Sequence, residues 1–278
     1  MTAPSSMSWP SARLDQVLAA ARLQERAALA TYMPVGYPNR ITGLDALHVL
    51  AQFADIVELG VPYSDPVMDG PVIQGATAQA LTAGFRMTDL FTAARELSSS
   101  SRAALLVMSY WQPIHRYQPE RFANELAAAG ASGVLVPDLP LEEADPWLDA
   151  ARAAGLHTVN LVAPNTNAAR LARICAASSG MIYAPATKGV TGNQGPLSSD
   201  LPQLIDRLRR VTALPVGVGI GVSTAAQASS ISAIADAVVV GSAVIRRMAA
   251  APNTAVAAAA ATAREFAAGV RHPARAAA

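Results

Sequence analysis

Short apolar runs recur eight times along the chain, and most of them do not alternate with polar residues. Unbroken apolar runs of this length are typical of parallel strands that are buried on both faces. The pattern predicts strands at Ala28–Met33, Asp55–Leu59, Ala104–Met108, Gly133–Val136, His157–Val162, Met181–Ala184, Pro215–Val218 and Asp236–Val240.

Longer segments rich in Ala, Leu and Arg lie between these runs, and their apolar residues have helical spacing. The predicted helices are Leu44–Phe53, Thr88–Leu97, Pro119–Ala129, Asp145–Ala154, Asn167–Ala176, Leu201–Val211 and Thr224–Ala233. Strand and helix alternating eight times predict an α/β fold of the (β/α)8 TIM barrel type. An extra N-terminal helix at Ala12–Leu23 precedes the first strand and is expected to plug the bottom of the barrel. Periodicity alone leaves a doubly wound open sheet as the alternative.

The domain prediction is a single barrel over residues 1–278, because no linker or change of composition divides the chain. Residues 1–10 and 271–278 are predicted to be flexible tails. Ser98–Ser101 is predicted as a short polar loop, and the Ala-rich segment Ala249–Ala268 as a helix despite Pro252.

Composition narrows the class of protein. The chain is 52% hydrophobic and 15% charged with a net charge of +1, which gives no reason to expect nucleic acid or an acidic membrane as partner. No apolar stretch is long enough to predict a membrane span. The single cysteine, Cys175, cannot form an intrachain disulfide, and a cytoplasmic location is expected. The four histidines show no metal-ligand spacing, so no metal site is predicted.

Two acids are candidate catalytic residues, one at the end of the second predicted strand and one in the loop that follows it. Glu58 follows Ile56 and Val57, and strand ends of this kind face the active site of a barrel. Burial there would raise the pKa of Glu58 and suit it to proton transfer near neutral pH. Asp69 lies in a loop rich in Gly and Pro that can fold it back over the barrel mouth. A structural Glu58 and a turn-forming Asp69 remain the alternatives.

Glycine-bearing turns follow the last three predicted strands. They read KGVTGNQG at 188–195, GVGIGVS at 217–223 and GSAVIRR at 241–247. Glycine lets backbone N–H groups approach a ligand closely, and a helix N-terminus adds partial positive charge. Barrels commonly bind phosphate between the loops after strands 7 and 8, so a phosphate site is predicted here. Tyr183, near the end of the sixth run, either lines a pocket or belongs to the core.

The segment VELGVPYSDPVMDGPVIQGA, residues 57–76, resembles the signature of the tryptophan synthase alpha subunit family. MPVGYP, VPDLPLEEA, KGVTG, GVGIGVS and VVVGSAVI resemble further segments of that family, over about residues 12 to 250. The resemblance implies a (β/α)8 barrel that cleaves indole-3-glycerol phosphate by a retro-aldol reaction. It also implies an alpha2beta2 complex with a beta subunit. The cofactor pyridoxal phosphate would belong to that beta subunit, so no cofactor is expected in this chain.

The resemblance also assigns roles to individual residues. Glu58 falls on the acid/base position and Asp69 on the second catalytic position. The positions that match substrate and phosphate contacts are Tyr183, Thr191, Gly192, Ile220, Gly221, Gly241 and Ser242. The positions that match the partner-facing surface are Pro62, Asp65, Pro66 and, near its rim, Gln112. In a barrel the loop from Pro62 to Pro66 is expected to be exposed and rigid.

A few residues depart from the family pattern. Gln112 stands where relatives usually carry Asn, and Pro185, Lys188 and Gln194 lie in altered positions around the strand-6 loop. These departures leave the acids intact and bear on partner coupling and loop closure. They keep open a stand-alone lyase that releases free indole.

A non-enzymatic barrel and a different phosphate-binding barrel isomerase or aldolase are weaker hypotheses. A barrel that only activates a beta subunit would not need both Glu58 and Asp69. A Schiff-base aldolase needs a strand lysine, and the only lysine, Lys188, lies in a glycine loop.

Overall fold

Eight parallel strands close into a barrel in the computed structural model, which describes residues 11–187 and 195–272. Each strand pairs with the next along the chain, and the last pairs with the first. The strands are β1 (Ala28–Pro34), β2 (Ile56–Gly60), β3 (Ala104–Met108), β4 (Gly133–Leu135), β5 (His157–Leu161), β6 (Ile182–Pro185), β7 (Val216–Gly219) and β8 (Ala237–Val240). The closed barrel confirms the predicted fold and excludes the open sheet.

Helices surround the barrel and follow the strands in turn. They are α1 (Ala12–Leu23), α2 (Arg40–Ala51), α3 (Pro71–Thr82), α4 (Met87–Ser100), α5 (Trp111–Tyr117), α6 (Pro119–Ala128), α7 (Asp145–Ala153), α8 (Ala168–Ala176), α9 (Leu201–Arg209), α10 (Ala225–Ser232), α11 (Ser242–Ala250) and α12 (Ala255–Arg271). No helix among residues 11–187 and 195–272 is long and apolar enough to cross a membrane.

The N-terminal helix α1 covers the bottom of the barrel, as predicted. Leu14 is completely buried, and the carboxylate of Asp15 lies 3.1 Å from Nε2 of His157, the first residue of β5. Arg13 donates a hydrogen bond of 3.0 Å to the carbonyl of Ser98. Because His157 marks the amino end of its strand, α1 closes the end of the barrel opposite to the strand carboxyl ends.

Two helices were not predicted. The helix α3 begins at Pro71, whose fixed φ suits the first helical position, and buries Ile73 and Ala80. The helix α5 is a single short segment of seven residues between β3 and α6. Both helices follow strand carboxyl ends and lie beside the active end of the barrel.

Predicted boundaries are wrong at Ser98–Ser101 and at Ala249–Ala268, and also at the start of α2, which lies four residues before the predicted Leu44. The predicted loop at Ser98–Ser101 is mostly helix, since α4 continues to Ser100. The hydroxyls of Ser100 and Ser101 donate to the carbonyls of Glu96 and Leu97, four residues earlier, so these polar side chains are satisfied within the helix. The predicted helix Ala249–Ala268 is interrupted at Pro252, and α12 begins only at Ala255. Arg271 ends α12, whereas residues 1–10 and 273–278 of the predicted tails lie outside the described residues.

Candidate active site

A cavity of about 480 Å³ opens at the carboxyl ends of the strands. Of the predicted catalytic and substrate-binding residues, those that line it are Glu58, Asp69, Tyr183, Ile220, Gly221, Gly241 and Ser242. They come from four strand ends and their loops, so only the closed barrel brings them together. Thr191 and Gly192, like Lys188 and Gln194, lie outside the described residues.

Glu58 occupies the third position of β2 with its side chain in the barrel interior. It pairs in register with Tyr32 of β1 and Leu106 of β3, and only 4% of its surface is exposed. Burial, with a smaller contribution from the negative charge of Asp69, raises the pKa of Glu58 to about 8. At neutral pH the carboxyl group therefore carries a proton, which it can donate to a bound molecule.

Asp69 is buried at the end of the loop between β2 and α3. Its backbone N–H donates to the carbonyl of Pro66 at 3.0 Å, and Gln74 donates to the carbonyl of Asp69 at 2.7 Å. Its carboxylate accepts a hydrogen bond of 3.0 Å from the hydroxyl of Tyr110. These contacts turn the loop back over the barrel mouth, as its Gly and Pro content predicts.

Tyr110 links this loop to the end of β3. Its hydroxyl accepts from the backbone N–H of Met68 at 3.0 Å and donates to Asp69, while its ring lies 5.4 Å from that of Tyr63. Sequence reasoning did not single out Tyr110. Its position two residues beyond β3 was the available signal, because residues beyond strand carboxyl ends face the pocket.

The loops after β7 and β8 form a glycine-lined wall. Ile220 and Gly221 have φ angles of 59° and 100°, so two successive residues take the left-handed conformation. A side chain at Gly221 would overlap Thr187, which donates to the carbonyl of Ile220. Next to this turn, α11 begins at Ser242 with Gly241 as its N-cap. The free N–H groups at a helix N-terminus favour an anion.

Tyr183 is a pocket residue. It lies on β6 with 7% of its surface exposed, and it lines the cavity. Burial, reinforced by the charges of Glu58 and Asp69, raises the pKa of Tyr183 well above its usual value, so its hydroxyl stays protonated. Tyr32, which sequence reasoning did not identify, lines the same cavity from β1.

The predicted partner-facing residues do not all lie on the surface. Asp65 and Gln112 are exposed and Pro66 is partly exposed, but Pro62 is buried. Pro62 follows β2 by only two residues and is still part of the packed barrel wall, so the expected exposure is wrong for this residue. The exposed part of the loop runs from Ser64 to Met68.

The side chains that could bind a metal are scattered through the described part of the chain. Among residues 11–187 and 195–272, no group of three or more His, Cys, Asp or Glu side chains is placed to hold a metal ion. Cys175 is buried in α8, and burial raises the pKa of its thiol, which makes it a packing residue.

Comparison with known proteins gives matches over most of the chain. A family model described as "Tryptophan synthase alpha chain" matches residues 18–271. The tryptophan synthase alpha chain of Streptomyces coelicolor is 46% identical over 243 residues, which cover 87% of this chain and 90% of the relative. That of Thermobifida fusca is 44% identical over 268 residues, covering 94% and 99%. A solved structure of Mycobacterium tuberculosis tryptophan synthase superimposes with a TM-score of 0.87 at 42% identity, covering 93% and 98%.

Proposed function

This chain belongs to the tryptophan synthase alpha chain family, and from that premise we propose that its pocket cleaves indole-3-glycerol phosphate to indole and glyceraldehyde 3-phosphate. The observation that carries this proposal is the buried Glu58, protonated at neutral pH beside a second acid at the barrel mouth. Function is argued from the site, because one barrel fold supports many chemistries.

Glu58 is the proposed proton shuttle. The bond between indole C3 and the glycerol chain breaks easily only after C3 is protonated and the ring becomes an indolenine. Glu58 donates that proton and becomes a carboxylate. The carboxylate then takes the proton of the neighbouring hydroxyl as the carbonyl forms, and the bonding electrons return to the ring. Glu58 ends the reaction protonated, as it began.

Asp69 is the proposed partner of the indole nitrogen. A carboxylate that accepts the indole N–H stabilises the positive charge that develops on the ring when C3 is protonated. Tyr110 holds the Asp69 carboxylate at the pocket, which reduces the reorganisation needed during the reaction. Met108, Leu135 and Leu161 contribute apolar surface to the cavity, which suits an indole ring.

The phosphate group is assigned to the loops after β7 and β8, which line the same cavity as the acids. Backbone N–H groups around Ile220 and Gly221, with those at Gly241 and Ser242, form the proposed phosphate cradle. Gly192 completes this set by resemblance to the family, with Thr191 and Tyr183 beside the substrate. Support for the cradle comes from the left-handed backbone at 220–221 and the helix N-terminus at 242.

Measuring indole release from indole-3-glycerol phosphate tests this function. The isolated chain should release indole slowly, and addition of a tryptophan synthase beta subunit should raise the rate, because the two subunits work as a complex. Absence of indole release in both conditions would contradict the proposal. Brisk release without a partner, unchanged by the beta subunit, would favour the stand-alone lyase, which no structural observation favours at present.

The beta subunit is the partner expected for this chain, in an alpha2beta2 complex. In this family pyridoxal phosphate belongs to the beta subunit, and we propose that the alpha reaction here needs no cofactor. The proposed contact surface includes the loop from Ser64 to Met68, which exposes Val67 and Met68 beside the charged Asp65. Exposed apolar side chains next to an active site are typical of a surface that binds another protein.

Asp65 allows a test of that surface. Asp65→Ala should weaken activation by the beta subunit more than it weakens the basal rate, because Asp65 lies on the same loop as Asp69 but outside the cavity. Asp45→Ala, an exposed acid on α2, is the matched control and should leave activation unchanged. Equal loss of basal and activated rates would contradict the assignment.

A single domain over residues 1–278 and a cytoplasmic location complete the proposal. One core runs through the barrel and its helices, from Leu14 to Val270. The single cysteine suits a reducing compartment. Limited proteolysis tests the single domain and should yield no stable subdomain. Fractionation of cells tests the location.

A further inference from the structure

Tyr32 has a side chain that lines the cavity and a hydroxyl for which the described residues offer no hydrogen-bond partner. The side chain lies on β1 with 7% of its surface exposed, and it lines the cavity at the barrel mouth. Tyr110, by contrast, has two hydrogen bonds through its hydroxyl. A tyrosine hydroxyl that no described residue bonds and that is open to a cavity can donate its hydrogen bond to a molecule bound there.

Two glycines on the neighbouring strands make room for the Tyr32 ring. A Cβ atom at Gly60 of β2 would lie 2.5 Å from the Tyr32 hydroxyl oxygen, and one at Gly241 would lie 2.9 Å from Cδ1 of the ring. Neither distance is tolerated by real Cβ contacts. The ring therefore lies across the ends of both neighbouring strands, in a position that any larger residue at either glycine would displace.

This position lies between the proposed acid and the proposed phosphate cradle. Tyr32 pairs in register with Glu58 of β2, while on the other side Thr31 pairs with Val240, the residue before Gly241. A substrate that reaches from the cradle to Glu58 must pass Tyr32 with the chain that joins its phosphate to its indole ring. In indole-3-glycerol phosphate that chain carries two hydroxyls, and Glu58 is assigned to the one next to indole.

We propose that Tyr32 donates a hydrogen bond to the second hydroxyl, on the middle carbon of the glycerol chain, and so selects for substrates that carry it. This inference rests on the proposed function and deepens it. The phenol remains a donor across the working pH range, because burial and the nearby acids raise its pKa well above the usual value. A site built to bond a substrate hydroxyl discriminates against an analogue that lacks it.

The 2-deoxy analogue of indole-3-glycerol phosphate gives the most direct test. It keeps the hydroxyl next to indole, so the same retro-aldol cleavage yields indole and 3-phosphooxypropanal. Tyr32→Phe should lower kcat/KM for the natural substrate about tenfold, the scale of one neutral hydrogen bond. The same variant should leave kcat/KM for the 2-deoxy analogue unchanged within about twofold. The ratio of the two values, which reports selection, should therefore fall about tenfold in the variant.

Two controls separate this role from a structural one. Tyr117→Phe removes a hydroxyl that bonds Glu125 outside the cavity, and it should change neither value. Calorimetry with glycerol 3-phosphate and 3-hydroxypropyl phosphate, which differ only in the middle hydroxyl, supplies a second measurement that needs no turnover. Tyr32→Phe should weaken binding of the first compound, which carries the middle hydroxyl, and not of the second.

Two results would overturn the inference. Equal losses on both substrates would make Tyr32 a packing residue, and no loss on either would leave its hydroxyl without a role in selection. If the wild-type chain releases indole from neither compound, the proposed function fails instead. The inference about Tyr32 is then decided by the calorimetric comparison, and equal effects on the two phosphates would contradict it.

Discussion

Glu58 and Asp69 are only eleven residues apart in sequence, yet their side chains have different surroundings in the fold. Glu58 lies within a strand among apolar neighbours, and its pKa is raised to about 8. Asp69 lies in a loop and accepts a hydrogen bond from Tyr110. Different environments are how two acids take different roles in one site.

The pH dependence of cleavage follows from the raised pKa of Glu58. The first step needs Glu58 in its protonated form, which predominates below about pH 8 and is lost above it. We expect kcat/KM to be nearly constant from neutral pH to about 7.5 and to fall about tenfold per pH unit above 8.5. Steady-state rates of indole release across this range check the prediction. A rate still constant at pH 10 would contradict it.

The same group links stability to pH. The pKa of Glu58 is higher in the folded chain than its ordinary value of 4.5, so folding is favoured by protonation. This contribution is complete below about pH 4.5 and is lost as pH rises through 8. Glu58→Gln, which stays neutral, should therefore stabilise the fold at pH 9 by several kcal/mol relative to wild type, at about 1.4 kcal/mol per pKa unit.

Urea unfolding at pH 5 and pH 9 measures this effect. The gain from Glu58→Gln should be small at pH 5 and large at pH 9, because only at the higher pH must wild type bury a charge. Glu120→Gln, at an exposed position on α6, is the control and should show no such difference. An equal gain at both pH values would show that Glu58 is not titrating in the fold.

Individual site residues could be predicted where a reactive side chain stands at a position that the sequence pattern already marks as a strand end or a family motif. Glu58 ends an apolar run, and Asp69 lies in a motif with a family resemblance, so both could be identified before the fold. Tyr110 carried only the signal of its position beyond a strand end, and Tyr32 was not identified, because an aromatic residue in a strand has the same local pattern whether it packs or binds. Their significance depends on contacts with Gly60, Gly241 and Met68, which only the closed barrel creates.

At the scale of elements, all eight strands were predicted to within one residue at each end. Parallel strands buried on both faces leave an apolar run that sequence alone reveals. The first residues of the helices were harder to predict, because capping hydrogen bonds determine where a helix begins. Asn39 caps α2 through a hydrogen bond of 3.0 Å to the N–H of Thr42, which places its start four residues before the predicted Leu44.

The turn after β7 supports a prediction about phosphate. Gly221 has a φ of 100°, and a Cβ there would overlap Thr187, so Gly221→Ala should distort the proposed cradle. We expect KM for indole-3-glycerol phosphate to rise at least tenfold. Gly75→Ala is the matched control, since Gly75 lies in α3 with open space around it. It should keep KM and stabilise the fold by up to about 1 kcal/mol.

Kinetics and thermal unfolding of the two variants decide this prediction. A loss of stability in Gly221→Ala without a change of KM would make the turn structural only. An unchanged KM together with unchanged stability would show that the backbone at 220–221 adapts, and the cradle assignment would then be wrong.

In the whole molecule, the helix that closes the barrel and the proposed catalytic residues lie at opposite ends. The helix α1 closes the bottom of the barrel with Leu14 fully buried, while the acids and the glycine loops lie at the opposite end. The fold class and this division were predictable from the order of elements. The burial of Pro62 was not, because local sequence does not reveal where a strand wall ends and an exposed loop begins.

The central claim is that Glu58 moves the proton that permits carbon–carbon cleavage. Its most direct test is the rate of indole release by Glu58→Gln in the complex with a beta subunit, with binding of glycerol 3-phosphate measured on the same preparation. The variant keeps the shape of Glu58 and cannot transfer its proton. We expect kcat to fall about 100- to 10,000-fold while phosphate binding stays within about twofold of wild type. A variant that retains kcat within tenfold of wild type would contradict the account.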